Sequence, residues 1–134
     1  MKRILTTVLI LSVLAVSSCK KDDDAGTSED PIVGTWKLTK VLVDGKEVSL
    51  GECNKNNNYV FEADAKGVDN YYNTVNSECK LFSDSFTWKN NSGGSYTNTY
   101  TFEGEEDFEQ FTLENNELKL IDNLEDIVDI YTKQ

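Results

Sequence analysis

Ser95-Tyr96-Thr97-Asn98-Thr99-Tyr100-Thr101-Phe102-Glu103 is the stretch that decides the fold, because large and polar side chains alternate along it. Successive side chains of an extended chain point to opposite faces. Tyr96, Tyr100 and Phe102 are therefore expected inward, and Thr97, Thr99, Thr101 and Glu103 outward. Asn90 to Gly94, rich in Asn and Gly, precedes it as a turn.

The same period of two runs outward in both directions. Val33 to Val43 reads as a first strand with Trp36 and Leu38 on one face, ending at the hairpin signal Asp44-Gly45. Tyr59 to Ala63 reads as a second, with Tyr59 and Phe61 aligned, and Val68 to Val75 as a third. Ser85 to Lys89 is the fourth, with Phe86 and Trp88 aligned, and Ser95 to Glu103 is the fifth. Phe108 to Leu113 is the sixth, and Asn115-Asn116 turns it into a seventh, Glu117 to Ile121. Ile127 to Thr132 is read as an eighth strand on its β-branched content, although Leu124, Ile127, Val128 and Tyr131 also fit a helical stripe. The expected class is all-β: an antiparallel meander of about eight strands that curls into a small barrel and so removes its exposed edges. Inward-facing Tyr59, Phe61, Phe86, Trp88, Tyr96, Tyr100 and Phe102 are the candidate barrel-lining residues.

Ahead of this domain lies a different kind of segment. Met1-Lys2-Arg3 is basic, and Ile4 to Val16 is apolar but too short for a bilayer span, which takes about twenty residues. Val16-Ser17-Ser18-Cys19 then places small residues before a cysteine. This resembles a bacterial lipobox, and the resemblance implies cleavage before Cys19 and lipidation of its thiol. Two or more acyl chains anchor stably, at roughly 0.8 kcal/mol per buried methylene. Lys20-Lys21-Asp22-Asp23-Asp24 resembles the surface-export signal of lipoproteins of the Bacteroidota, which implies the outer face of the outer membrane; a solvated charged spacer is the plainer reading. The expected organisation is a leader at 1–18, a lipidated acidic tether at 19–31 and one domain at 32–134. The twelve residues Lys20 to Pro31 would reach about 17–21 Å as a flexible chain.

Composition narrows the chemistry. With 13 basic against 24 acidic residues the formal charge is −11, and loss of Lys2 and Arg3 with a leader makes it two units more negative. Such a chain disfavours nucleic acid and anionic lipid surfaces. There is no histidine, which removes His-dependent nucleophile systems and the commonest metal ligand. In a compartment where disulfides persist, Cys53 and Cys79 are expected to pair, the alternative being two separate buried thiols. No metal, cofactor or enzymatic activity is expected. Glu103, Glu105, Glu106 and Asp107 lack calcium-loop spacing and read as a solvated acidic turn.

Several of these residues form a wider pattern: Gly34-Thr35-Trp36 at the head of the first strand, Asp44-Gly45, Cys53, Tyr59-Val60-Phe61, Cys79, Phe86-Thr87-Trp88 and Leu118-Lys119-Leu120. The pattern resembles the lipocalin-like domain of small Bacteroidota lipoproteins, over Ile32 to Tyr131. The resemblance implies that Trp36 plugs the closed end of the barrel and that Gly34 lets the chain turn beneath it. An eight-stranded barrel either fills itself with side chains or holds one small ligand. Two functions follow: a lipid-anchored protein holding a small apolar or amphipathic ligand, or a filled barrel that docks another envelope protein.

Overall fold

The computed structural model describes residues 29–122 and 124–134, so the expected leader, Cys19 and Lys20 to Asp24 lie outside the described residues. Nine strands are formed among the described residues: β1 (Gly34–Val43), β2 (Lys46–Val48), β3 (Asn58–Phe61), β4 (Lys66–Val75), β5 (Glu78–Asn90), β6 (Ser95–Phe102), β7 (Glu105–Glu114), β8 (Glu117–Asp122) and β9 (Ile127–Lys133). Each pairs antiparallel with its neighbour, and β1 also pairs with β9, so β1 and β3 to β9 close an eight-stranded barrel. The β2 strand is a short extra arm that pairs with the far half of β1, from Val41↔Val48 to Val43↔Lys46. The sequence reading counted eight strands and missed β2, which is exposed throughout and carries no burial pattern. The last segment is the strand β9, not a helix.

Two-residue turns set the registers. Asp44-Gly45, Asn76-Ser77, Glu103-Gly104 and Asn115-Asn116 all have positive φ at both residues, the twist that matches right-handed strands. The Asn76-Ser77 turn makes β4 and β5 one long hairpin, paired from Lys66↔Thr87 to Val75↔Glu78. Its outer part extends as an overhanging lip with most residues of β5 exposed. That is why only Ser85 to Lys89 of β5 was legible: a strand exposed on both faces shows no alternation. Along β1 the register shifts between Leu38 and Lys40. This bulge lets Leu38 and Val41 both pack on the core, while Thr39 donates its hydroxyl to the Ile130 carbonyl at 3.1 Å.

One end of the barrel is closed. Trp36 is 1% exposed and packs in the core with Ile32, Phe61, Phe111 and Leu118. Its indole N–H donates to the Ile32 carbonyl at 2.6 Å, and the Lys133 ammonium lies 5.5 Å from the ring centroid. Gly34, at φ +134°, adopts the backbone conformation expected of the Gly-x-Trp pattern. Asp30 fastens the approach: Oδ1 accepts from the Ile32 amide at 3.1 Å and the Tyr96 hydroxyl at 2.8 Å, and Oδ2 from the Asn90 amide at 2.7 Å.

Above the plug the interior is a pile of rings. Tyr59 makes edge-on contacts with Phe111 and Tyr131, each with centroids 5.0 Å apart, and Phe61 meets Phe86 at 5.2 Å. Gly67 is required opposite Phe86, because a Cβ there would meet the Phe86 ring at 2.3 Å and the Val60 carbonyl at 2.5 Å. The lower barrel is therefore filled by its own side chains.

Candidate functional site: an acidic mouth on a filled barrel

The register places carboxylates above the ring pile. On β4 the inward face continues from Gly67 to Asp69 and Tyr71, opposite Phe86, Asp84 and Phe82 on β5. On β6 it runs through Tyr96, Asn98 and Tyr100, opposite Phe111, Glu109 and Asp107 on β7. Asp129 of β9 lies between Val41 of β1 and Leu120 of β8. Acid groups from four strands thus share the inner face of the open half. Asp69, Asp84, Tyr100, Phe102, Asp107 and Glu109 line a recess of about 170 Å³ at this mouth.

Hydroxyls join the two layers. The Tyr59 and Tyr100 hydroxyls both donate to Glu109 Oε2, at 3.1 and 2.6 Å. Burial pushes the Glu109 carboxyl up, against these two hydrogen bonds, which pull it down. Burial likewise pushes Asp69 up to about 7, with the nearby Glu109 and Asp84 charges adding to the effect. Asp129 is raised by burial and by Asp122. The interior tyrosines stay neutral, since burial drives Tyr59, Tyr100 and Tyr131 far above the usual phenol range. Desolvation disfavours a charge that has no compensating partner. The mouth is therefore a place where negative charge is held at a cost in stability.

Asn98 is the second anomaly. It is 0% exposed, and neither its amide nitrogen nor its amide oxygen has a hydrogen-bond partner among the described residues. It stands directly opposite Glu109 and two residues before Tyr100 on one face. A buried polar group left without a partner costs about 1–3 kcal/mol, and such groups are rare enough to call for an explanation.

The rim is aromatic. The Tyr71 and Phe82 rings stack with centroids 5.5 Å apart, and Tyr100 and Phe102 stack at 6.1 Å. The Cys53–Cys79 disulfide forms, with Cα atoms 5.3 Å apart, and ties the turn ahead of β3 to the overhanging lip. Cys53 Sγ also lies 3.3 Å from the Thr74 hydroxyl on that lip.

Of the expected lining residues, Tyr59, Phe61, Phe86, Tyr96 and Tyr100 are buried inside. Trp88 is only partly buried, its indole N–H placed between the Glu62 and Lys66 carbonyls at 3.0 and 3.1 Å. Phe102 lines the recess at the mouth, 49% exposed, above the buried core. The barrel's inner side has opened to solvent by that height. A correction concerns Glu105, Glu106 and Asp107, which are strand β7 and not a turn. Asp69, Asp84, Glu109, Asp129 and Asn98 were missed. The signal was available: Phe111 faces inward, so strict alternation puts Glu109 and Asp107 on the same face.

A closed up-and-down barrel, plugged at one end by a Gly-x-Trp element and open at the other, defines a lipocalin-type domain. A family profile described as Lipocalin-like domain matches residues 32–120, and the chain belongs to that family. A crystal structure of a mutant of the fluorescent protein UnaG is similar at 12% identity, covering 78% of this chain and 96% of that one, with a TM-score of 0.41. No curated protein matches the chain.

Proposed function

We propose that this lipocalin-like domain is a non-enzymatic binding module that holds one small amphipathic ligand at its open mouth. The observation that carries the reading is the recess of about 170 Å³ at the open mouth, which lies above a lower barrel occupied by Trp36, Tyr59, Phe61, Phe86 and Phe111. Pockets for drug-sized molecules hold about 300–1,000 Å³, so the ligand is smaller or projects past the aromatic rim. The upper half combines ring faces with carboxylates, so it suits a molecule with an apolar part and a polar head. The sequence ahead of the domain supports export, lipidation of Cys19 and display on the outer membrane, with Lys20 to Asp24 as the export signal.

Native mass spectrometry of the full chain, purified from its own host in nonionic detergent, tests this directly. The expected spectrum contains a small-molecule adduct that is released on unfolding. A bare protein mass would contradict the reading and favour the docking of another envelope protein.

A further inference from the structure

The overhanging lip has one covered edge and one bare edge. On the β4 side, β3 stops pairing at Asn70. Beyond it the Tyr72 amide donates to Asn57 Oδ1 at 2.8 Å, and the Cys53–Cys79 disulfide and the Cys53–Thr74 contact fasten the turn ahead of β3 to the lip. On the β5 side, β6 pairs only from Phe86 to Asn90. Glu78 to Ser85 therefore has β4 on one side and no strand on the other. This edge has no proline, its register with β4 runs without a bulge, and its Leu81 and Phe82 are 52% and 40% exposed. Proteins ordinarily break or cover such an edge, because its unpaired N–H and C=O groups are a template for another strand.

The hairpin fixes which groups point outward. The Asn76-Ser77 turn makes Val75 and Glu78 a hydrogen-bonded pair, and along an antiparallel ladder such pairs alternate. Glu78, Lys80, Phe82 and Asp84 thus direct their backbone groups to β4, and Cys79, Leu81, Ser83 and Ser85 direct theirs to the free edge. The Trp88 amide, in phase with the first set, donates on the β4 side to the Ala65 carbonyl at 2.9 Å. An added strand must meet this outward set with an outward set of its own. A second β5, antiparallel, does so with Leu81, Phe82 or Ser83 opposite itself. Centring on Leu81 sets Glu78 against Asp84 of the other copy, a like-charge clash. Centring on Ser83 sets Lys80 against Phe86, whose outer side β6 occupies. Centring on Phe82 sets Lys80 against Asp84 on both sides of the axis, and neither residue is in an ion pair among the described residues. It also brings the two Phe82 rings opposite each other, each already stacked at 5.5 Å on the Tyr71 across from it on β4.

We propose that a second copy of this chain adds antiparallel to the free edge of β5, centred on Phe82. Leu81 and Ser83 then exchange backbone hydrogen bonds across the axis, and Lys80 of each copy pairs with Asp84 of the other. The contact is the same patch on both copies, so it closes at the dimer. This inference does not draw on the small-ligand reading.

The test is native mass spectrometry of the full chain in nonionic detergent, with micelles in excess over protein, across a concentration series, joined to residue-resolved amide exchange. The expected result is a dimer whose share rises with concentration, with slow exchange at Leu81 and Ser83, where a bare edge would leave both fast. Lys80→Asp and Asp84→Lys each place like charges across the axis and should weaken association by about tenfold or more. Mixed in equal amounts they should dimerise as one of each, because each supplies the charge the other lacks. Ser83→Pro removes an outward N–H and none that faces β4, so it should also be monomeric; where a charge reversal fails to fold by circular dichroism, this variant decides. A monomer at every concentration, a dimer with Leu81 and Ser83 exchanging fast, or a dimer untouched by the folded variants would overturn the proposal.

Discussion

Replacing Asp69 by Asn is expected to stabilise the protein at neutral and alkaline pH, with a gain that depends on pH. Asp69 faces inward on β4, with Asp84 across on β5, Glu109 on β7 and the Tyr59 ring on β3 around it. Burial and the two neighbouring charges raise its carboxyl from 3.8 to about 7. A folded-state value above the unfolded one means the contribution is fully present below about pH 4 and lost as pH rises through about 7. Three pH units at 1.36 kcal/mol each set a ceiling of about 4 kcal/mol. Water at the open mouth and movement of Asp84 screen the charge, which brings the expected difference to roughly 1–3 kcal/mol. Urea unfolding of wild type and Asp69→Asn at a series of pH values measures it. The two curves should nearly coincide around pH 4 and separate progressively to about pH 8, with the variant more stable. A difference that is flat with pH, or a wild type more stable at pH 8, would refute the argument that this carboxylate is held against its solvation.

Trp36→Ala should destabilise by about 3–5 kcal/mol, through the cavity left in the plug and the lost indole hydrogen bond; thermal unfolding would show a large drop in Tm without a change in strand content. Converting Cys53 and Cys79 to Ser should remove about 2–4 kcal/mol and loosen the lip first, seen as faster amide exchange in Thr74 and Lys80 than in Phe86 or Tyr100. Cys19→Ala should move the protein from the membrane fraction to the soluble one, while alanines at Asp22, Asp23 and Asp24 should leave it anchored but protected from external protease; unchanged behaviour in either experiment would count against the lipidated tether.

The parts of the fold that alternate around a buried face were legible in the sequence. The Ser95–Phe102 strand buries Tyr96, Asn98 and Tyr100 and turns its threonines outward, as a period of two requires. Two of the four tight turns, Asp44-Gly45 and Asn115-Asn116, announced themselves through residue types that tolerate positive φ. The β2 arm and the lip of β5 did not, because segments wet on both faces lose the pattern that burial imposes. The mouth was hidden for a related reason. Acidic residues on a strand ordinarily belong to its solvent face, and residue type alone did not single out Asp69, Asp84 and Glu109. The closed register, with Asp69 opposite Asp84 and Asn98 opposite Glu109, brings these strands together on the inner face. A sequence gives composition along each strand, but the convergence of β4, β5, β6 and β7 on one recess depends on which strands become neighbours.

The claim that organises this account is that the acidic mouth is the binding surface. Titrating the isotopically labelled full chain with the small molecule released from the native protein, followed by amide chemical shifts, tests it most directly. The account predicts saturable shifts centred on Asp69, Asp84, Asn98, Tyr100, Asp107 and Glu109, with the plug residues Ile32 and Trp36 unmoved. Shifts spread over exposed acids of the outer face, such as Glu47, Glu78 and Glu114, with a quiet mouth, would contradict it.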